Sequence, residues 1–470
     1  MAKLLINGEW VDGESTQQLT DKYSGAVFGE MAVASAAQVE AAVTGAVAAQ
    51  QACRLAPYER FKILSTAARL LEGRMTRLCD LMRAEAGFTR ADSENELRRT
   101  MQTLELSAEE AKRLVGDMVP MEAAQGVKNR LGFTIRGPRG VVCAITPFNS
   151  PLNTVAHKVG PALAGGNSVV LKPSEYTPLT AVELCQVLIE AGLPAHMLAL
   201  VHGDGGVIGP QLLADQRIAF YAFTGSTRVG REIQRAAGLR ATQLELGSIA
   251  STIVCHDANI ELAIAKIVNA GFRKAGQVCT SVQRLFVDRR IAGEFIPKFV
   301  AATRALKFGD PADPATVIGP MITVAHAQRA ASWIAEAVAG GAHILTGGSR
   351  EGALLEPTVL AGVSDTMRVV CQEIFAPVVS IIEFDRLDEA VARANAQPFG
   401  LSVGLFTSNL HAAFSAARAL RFGGIHINEA SSARVDVMPF GGVKDSGYGR
   451  EGPAYAIREM TEERLVTIAY

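Results

Sequence analysis

Residues 140–175, GVVCAITPFNSPLNTVAHKVGPALAGGNSVVLKPSE, decide the fold. Two short apolar runs, Val141–Ile145 and 168–171, lie on either side of a helix that includes His157. Short apolar runs bounded by glycine or proline are typical of strands that are buried on both faces. The alternation of strand, helix and strand predicts a parallel sheet covered by helices.

The alternation extends along most of the chain. Helices are predicted over 36–51, 58–85 and 94–114, where apolar residues recur at intervals of three and four. A second block, 249–440, repeats the pattern and begins with a helix over 260–275. At 470 residues the chain is too long for one compact core. We therefore expect an α/β protein with two doubly wound, mostly parallel sheets and a cleft between them.

The composition is that of an ordinary globular chain and disfavours several classes of function. The formal net charge is -1, which offers no electrostatic attraction for nucleic acid or for an anionic membrane surface. No apolar run reaches the length of a membrane span. The seven cysteines are an odd number without paired spacing, and the N-terminus lacks a secretory signal. We therefore expect reduced thiols and a cytoplasmic location.

Two residues indicate acyl-transfer chemistry. Cys279 follows a short glycine-containing segment in GQVCTS, and Glu245 stands between two leucines in LELG. A thiolate nucleophile and a carboxyl group with a pKa raised by apolar neighbours form the pair that acyl-enzyme chemistry requires. Each residue alone has an ordinary alternative, because a single cysteine is often an inert buried thiol and a glutamate an exposed charge.

An asparagine follows the first strand in the segment TPFNSP, residues 146–151. Two prolines fix the backbone around Asn149 and hold it at the carboxyl end of a strand, where open α/β sheets bind ligands. Its side-chain amide can donate to an oxyanion there. The alternative is an asparagine that only shapes the turn.

Four further segments offer contacts for a cofactor or a ligand. FTGSTRVG, from Phe223, joins a strand end to a helix whose N-terminus suits a phosphate group. KPSE, from Lys172, follows a strand and offers groups for ribose hydroxyls. EIFAP, from Glu373, places a carboxylate two residues before Phe375, and PFGG, from Pro439, begins a glycine-dense loop. Each of the four patterns alone is weak.

The ordered set TPFNSP, KPSE, FTGS, LELG, GQVCTS, EIFAP and PFGG resembles the aldehyde dehydrogenase superfamily over nearly the whole chain. The resemblance implies a NAD-binding lobe from 1–115 and 138–247, and a catalytic lobe from 248–440. It also implies a small β oligomerisation element from 116–137 and 455–470, and a homodimer or homotetramer.

The resemblance also implies a mechanism. Cys279 would attack the aldehyde carbon to form a thiohemiacetal, and Asn149 with the Cys279 amide would stabilise its oxyanion. After hydride transfer to NAD, Glu245 would activate the water that hydrolyses the thioester. No metal ion is implied. Cofactor contacts are implied for Thr146, Pro147, Phe148, Lys172, Ser174, Glu175, Phe223, Gly225, Ser226, Val229, Leu246, Gly247, Glu373 and Phe375.

The acidic Glu175 would repel a 2′-phosphate, so NAD is favoured and NADP stays possible. One departure from the family pattern concerns the segment after LELG, where Ser248 replaces a second glycine that many relatives carry. This departure puts the local loop geometry in question, not the chemistry.

The substrate is less well defined by the sequence. The chain most resembles a subgroup that oxidises short polar aldehydes, including lactaldehyde and phosphonate- or sulfonate-bearing aldehydes. An anionic substrate would require arginines, so Arg99 and Arg434 are candidates beside Thr280, although either arginine can be structural. The alternatives are a succinate-semialdehyde-type or coenzyme A-acylating semialdehyde dehydrogenase, a cysteine hydrolase, and a non-catalytic NAD-binding scaffold. Glu245 disfavours the acylating enzyme.

Overall fold

The computed structural model describes all 470 residues. The helices are α1 (Ala36–Ala52), α2 (Pro57–Glu72), α3 (Met75–Ala86), α4 (Arg90–Arg113), α5 (Asn153–Ala164), α6 (Pro178–Glu190), α7 (Gly205–Ala214), α8 (Thr227–Ala237), α9 (Ile260–Phe272), α10 (Arg289–Arg304), α11 (Val324–Ala339), α12 (Arg368–Cys371), α13 (Leu387–Asn395), α14 (Leu410–Ala419) and α15 (Pro453–Glu459). Short 3-10 turns cover Met121–Ala123, Ala195–Met197 and Arg273–Gly276. None of these helices combines the length and the apolar character needed to cross a lipid bilayer.

The strands are β1 (Leu4–Ile6), β2 (Glu9–Val11), β3 (Ser15–Thr20), β4 (Val27–Val33), β5 (Met118–Val119), β6 (Arg130–Pro138), β7 (Val141–Ile145), β8 (Ser168–Lys172), β9 (Leu198–Leu200), β10 (Ile218–Thr224), β11 (Ala241–Glu245), β12 (Ala250–Val254), β13 (Val282–Asp288), β14 (His343–Thr346), β15 (Arg350–Glu351), β16 (Leu354–Leu355), β17 (Thr358–Ala361), β18 (Val378–Phe384), β19 (Phe399–Gly400), β20 (Ser402–Phe406), β21 (Gly424–Ile427), β22 (Val443–Lys444), β23 (Gly447–Tyr448) and β24 (Thr461–Ala469).

The first sheet has eight strands in the order β2-β1-β9-β8-β7-β10-β11-β23. The five strands from β9 to β11 are parallel, and the strands at both edges join antiparallel. Strand β8 is buried along its whole length, as expected for a parallel strand with helices on both faces. The chain winds from β7 to β8 and β9 on one side and to β10 and β11 on the other. The topological switch point therefore lies between the carboxyl ends of β7 and β10.

The second sheet has seven strands in the order β14-β17-β18-β13-β12-β20-β21. All of its pairings are parallel except that of the edge strand β14. A third sheet joins β24, β6 and β5, and β3–β4, β15–β16 and β19–β22 form two-stranded pairs. The predicted α/β class with two mostly parallel, doubly wound sheets is confirmed. The limits of the NAD-binding, catalytic and oligomerisation regions stay a prediction.

Two predicted helices are wrong in extent. The helix predicted over 58–85 is broken between α2 and α3 at Gly73, because glycine is a weak helix former. The helix predicted over 260–275 ends at Phe272, because Lys274 and Ala275 take positive φ angles of 53° and 52°. The N-terminal strands β1 to β4 were not predicted, since they are short and pair with distant segments.

One face of the third sheet carries exposed apolar side chains. Ile468 of β24 pairs with Leu131 of β6, so the two side chains share a face, and Ile135 lies on that face through the alternation of β6. Met118 of β5 pairs with Phe133 and extends the same face. The exposed fractions of Met118, Leu131, Ile135 and Ile468 range from 40% to 68%. Such a patch is typical of a protein–protein interface, which agrees with the oligomerisation role predicted from the sequence.

If this face joins copies of the chain as the sequence predicts, the double substitution of Ile135→Lys and Ile468→Lys is expected to dissociate the predicted oligomer, because two charges would have to be buried in the interface. Sedimentation velocity measures the change as a smaller species. The control is Val207→Lys on α7, which changes an exposed apolar residue elsewhere (58% exposed, against 46% for Ile135 and 45% for Ile468). A wild-type monomer, or an unchanged sedimentation of the double variant, would contradict the predicted role of this face.

Candidate active site

A cleft lined by residues of both large sheets contains the three predicted catalytic residues. Asn149 comes from the loop between β7 and α5, and Glu245 is the last residue of β11. Cys279 lies in the segment between α9 and β13. The structure therefore brings together residues from three separate parts of the chain.

Glu245 is a buried carboxyl group at a strand end. The register pairs it with Thr224 of β10 on one side and with Gly447 of β23 on the other. Burial, followed by the negative charge of Glu451, raises the pKa of Glu245 to about 8, and the Cys279 thiol acts in the opposite direction. This pKa is close enough to neutrality for proton transfer in both directions.

The Cys279 thiol is half-buried and faces this carboxyl. Burial and then the charge of Glu245 raise the pKa of the thiol well above its ordinary value. The resting side chain is therefore a thiol, and it must lose its proton when it attacks an electrophile. Glu245 interacts directly with this thiol and can accept that proton when it is ionised.

The backbone before the nucleophile is strained. Lys274, Ala275 and Gly276 have φ angles of 53°, 52° and 67°. Left-handed geometry costs an L-residue about 1–2 kcal/mol. A Cβ atom on Gly276 would lie 2.1 Å from the carbonyl oxygen of Ala376, so this residue must be glycine. Strain of this kind persists only where the surrounding packing imposes it, and it is commonly found at functional sites.

Glu451 is a buried carboxylate that the sequence analysis did not identify. It accepts hydrogen bonds from Lys158 at 3.0 Å, Arg434 at 2.8 Å and Thr224 at 3.2 Å. Burial disfavours its charged form, but Lys158 and then Arg434 outweigh burial and hold the pKa of Glu451 below its usual range. One sequence signal was available, because a lysine in the apolar helix α5 needs a buried partner.

The cofactor candidates cluster at the switch point of the first sheet. Gly225 and Ser226 directly precede α8. Ser226 caps the N-terminus of this helix, and its hydroxyl accepts a hydrogen bond from the Val229 amide at 3.4 Å. A Cβ atom on Gly247 would lie 2.9 Å from the Glu373 carboxylate. Small residues therefore keep the backbone accessible beside a helix N-terminus, which fits a dinucleotide. Pro147, Phe148, Leu246, Glu373 and Phe375 complete the lining.

The remaining cofactor candidates lie beside or beneath this lining. Lys172 ends β8, next to β7, and its ammonium group lies 3.4 Å from the Glu175 carboxylate, with Ser174 between them in the chain. Thr146 is buried, and its amide donates to the Lys172 carbonyl oxygen at 3.2 Å. Phe223 of β10 is buried beneath Gly225, and Val229 packs against the same core cluster. Phe223 and Val229 therefore do not line the cleft.

Four rings form an aromatic cluster on one side of the cofactor candidates. The ring centroid of Phe148 lies 5.8 Å from Tyr176, 6.0 Å from Phe375 and 6.2 Å from His326, in edge-to-face arrangements. Tyr176 and His326 were not predicted, since they are distant in sequence from Phe148.

Glu373 is a further buried carboxyl group among the cofactor candidates. The Ser248 amide donates to Glu373 at 2.9 Å, and burial raises the pKa of Glu373 to about 7.

Both arginines predicted for the substrate lie in the cleft, but each pairs with a carboxylate of the chain. Arg99 donates two hydrogen bonds to Asp436, at 2.7 Å and 3.0 Å. Arg434 pairs with Glu451 and stacks over the Phe440 ring at 3.8 Å. Their positive charges are therefore largely neutralised within the protein.

Arg273 lies in the same cleft and forms no ion pair in the chain. Its guanidinium donates to the Ser432 hydroxyl at 2.5 Å, and the Thr280 hydroxyl donates to the same oxygen at 3.1 Å. Arg273 therefore offers a positive charge that no carboxylate of the chain neutralises. The Thr280 and Ser432 hydroxyls lie beside it in the cleft that contains Cys279. Sequence reasoning missed Arg273 because the residue fell inside the predicted helix over 260–275.

The arrangement can perform nucleophilic attack, oxyanion stabilisation and proton transfer in one cleft. No group of three or more His, Cys, Asp or Glu side chains is arranged to hold a metal ion.

Two curated relatives match nearly the whole chain. A 3-sulfolactaldehyde dehydrogenase of Priestia aryabhattai is 46% identical over 465 residues, which cover 99% of this chain and 97% of the relative. A lactaldehyde dehydrogenase of Methanocaldococcus jannaschii is 35% identical over 472 residues, which cover 99% of this chain and 100% of the relative. The predicted resemblance to this subgroup is confirmed.

Two solved structures share the fold at TM-scores of 0.97. The first is an aldehyde dehydrogenase from Physcomitrella patens in complex with the reaction product succinate, 35% identical and matched over 99% of this chain and 98% of that chain. The second is an NADP-dependent glyceraldehyde-3-phosphate dehydrogenase from Bacillus halodurans C-125, complexed with NADP, 33% identical and matched over 100% and 99%. Since residues 10–466 also match the Aldehyde dehydrogenase family, the chain belongs to that family.

Proposed function

We propose that the protein oxidises a short anionic aldehyde to the carboxylic acid by hydrolytic, NAD-dependent chemistry. The observation that carries the proposal is the convergence of Cys279, Glu245 and Asn149 in one cleft beside the switch point. A nucleophile, a base of raised pKa and an amide donor are the three groups that oxidation through a thioester requires.

The first step forms the bond between sulfur and carbon. Cys279 attacks the aldehyde carbon as its proton passes to Glu245, and the carbonyl oxygen becomes an oxyanion. The side-chain amide of Asn149 and the backbone amide of Cys279 donate to that oxygen. When bound at the switch point, NAD would supply the hydride acceptor, and Cys279 would then hold the oxidised acyl group as a thioester.

The second step releases the acid. Glu245 first releases to solvent the proton that it took from Cys279. The ionised carboxylate then takes a proton from water as the water oxygen attacks the thioester carbon, and the bond between carbon and sulfur breaks with Cys279 leaving as a thiolate. Glu245 returns its proton to this thiolate, which restores both groups. The buried base favours hydrolysis over acyl transfer to coenzyme A. Hydrolysis requires a base that activates water, whereas in acyl transfer the thiol of coenzyme A is itself the nucleophile. The retained triad also disfavours a non-catalytic scaffold.

The anionic group of the substrate is assigned to Arg273. The guanidinium has no carboxylate partner in the chain, and two hydroxyls lie beside it. Planar guanidinium groups bind carboxylates and tetrahedral oxyanions through paired hydrogen bonds. The 3-sulfolactaldehyde dehydrogenase of Priestia aryabhattai supports a sulfonate, whereas the complex with succinate supports a carboxylate.

NAD is proposed as the cofactor because Glu175 lies beside Lys172 at the end of β8. A carboxylate in this place would repel the 2′-phosphate of NADP. Family members that use NADP exist, as the Bacillus halodurans enzyme does, so the choice is tested by running each substrate with both cofactors.

Cys279→Ser is expected to abolish NADH formation, because a serine hydroxyl is a far weaker nucleophile than a thiolate. Absorbance of NADH measures the rate, and quenching of protein fluorescence measures NAD binding, which should be unchanged. The matched control is Cys53→Ser, a change at a half-buried cysteine outside the cleft. Substantial dehydrogenase activity in Cys279→Ser would refute the assigned nucleophile.

Glu245→Gln is expected to slow thioester hydrolysis more than hydride transfer, so a burst of NADH remains and the steady rate falls. The base acts in its ionised form. With a pKa of about 8, its ionised fraction rises about tenfold between about pH 7 and about pH 9. The wild-type steady rate should rise with it, and Glu245→Gln should remove the rise.

These rates are measured with saturating NAD, because Glu373 has a pKa of about 7 and can alter cofactor binding over part of the same range. A steady rate that is independent of pH in the wild type, or an unchanged steady rate in Glu245→Gln, would show that Glu245 is not the base.

Arg273→Met is expected to lower kcat/KM for sulfonate- and carboxylate-bearing aldehydes by about 10- to 100-fold, since a charge-assisted hydrogen bond contributes about 1.5–3 kcal/mol. Lactaldehyde, which is neutral, should lose little. The panel comprises sulfolactaldehyde, phosphonoacetaldehyde, succinate semialdehyde and lactaldehyde, read by NADH absorbance. Arg98→Met on the exposed side of α4 is the control. An equal loss for neutral and anionic aldehydes would refute the anion site.

A further inference from the structure

A buried ion pair lies beside the catalytic cleft and has no part in the proposed chemistry. The Lys274 ammonium lies 2.8 Å from the Glu96 carboxylate, and both side chains are at most 5% exposed. The ammonium also lies 4.2 Å from the centre of the Phe88 ring. Burying two charges is costly, and such pairs are retained where their geometry serves a purpose.

One end of the pair fixes the loop that carries Asn149. The Lys274 ammonium donates to the backbone carbonyl oxygen of Asn149 at 3.1 Å. Glu96 accepts a hydrogen bond from the Ser150 hydroxyl at 2.6 Å and another from the Asn153 amide at 2.9 Å. The ion pair therefore holds the loop at two places. Lys274 binds the backbone of Asn149, and Glu96 binds the residues that follow it.

The other end of the pair belongs to the strained turn before the nucleophile. Lys274 is the first of three consecutive residues with positive φ. Two residues separate the end of this turn from Cys279. Glu96, the partner of Lys274, is a buried residue of helix α4. A single side chain thus links the backbone of the oxyanion donor to the backbone of the nucleophile.

We propose that Lys274 is a positioning residue that, together with Glu96, sets the separation between the Asn149 amide and the Cys279 sulfur. The inference rests on the proposed function, since it assumes that these two groups act on one carbonyl. Displacement of a reacting group by about 1 Å can cost about 10²-fold in rate, so a rigid link between the two loops has a kinetic value.

The charges around the pair favour this link over a purely local role. Asp92 of α4 and Arg273 of the turn are the other ionisable neighbours of Lys274. Neither forms an ion pair with it, and Asp92 is bonded instead to the Thr89 hydroxyl. The two hydrogen bonds of the Lys274 ammonium therefore go to Glu96 and to the Asn149 carbonyl oxygen.

The test is a double-mutant cycle on the single-turnover rate of NADH formation. Asn149→Ala alone should slow hydride transfer by about 10²–10³-fold, as for the loss of an oxyanion donor. Lys274→Met alone should slow it by about 10²-fold. If Lys274 acts by placing Asn149, the double variant should be no more than about threefold slower than Asn149→Ala. NAD binding, followed by fluorescence, should be unchanged throughout.

The control variant is Lys298→Met, which removes a lysine paired with two exposed glutamates on α10 and α9 and should keep the wild-type rate. If Lys274→Met fails to fold, Glu96→Gln, which keeps the shape of the side chain, carries the same cycle. Losses that multiply in the double variant, or a wild-type rate in Lys274→Met, would overturn the proposal while leaving the oxidation intact. A wild type that forms no NADH with any aldehyde would instead refute the proposed function and this inference with it.

Discussion

The site depends on two neighbouring buried carboxyl groups whose pKa values are shifted in opposite directions. Glu245 and Glu451 are both buried and interact, but the nearby cations, Lys158 and Arg434, bond directly to Glu451. One carboxylate is therefore stabilised as an anion, and the other is left to exchange protons near neutral pH. Two groups of the same type with opposite pKa shifts are the arrangement by which one protein performs acid and base steps.

Both large sheets contribute to this arrangement. The first supplies Glu245 from a strand end and Asn149 from the switch-point loop, where the parallel topology gathers loops. The segment leading into the second sheet supplies Cys279 on a turn that would not be stable by itself. The strain in that turn is balanced by close packing at Gly276 and by the buried ion pair of Lys274.

Sequence patterns predicted the parts of the molecule that depend on local order. The strands of residues 140–175 and the convergence of Asn149, Glu245 and Cys279 follow from apolar periodicity and from the ordered motifs. Glu451 was missed because its role comes from partners far away in the chain, and Arg273 because a left-handed turn ends α9 earlier than periodicity indicates. The pairing of Arg99 with Asp436 was likewise beyond reach, since nothing local marks a contact between residues so far apart.

The strand β23 has a consequence for the order in which the molecule can mature. Glu245 is flanked by Gly447, which has a φ of 99° and approaches so closely that a Cβ atom would lie 2.0 Å from the Leu244 carbonyl oxygen. The segment that closes one side of the base therefore follows both Glu245 and Cys279 in the chain. A growing chain contains the carboxyl group and the thiol before it contains Gly447, so this wall of the site is completed only after β23 has been synthesised. A chain that stopped before β23 would leave one side of Glu245 uncovered.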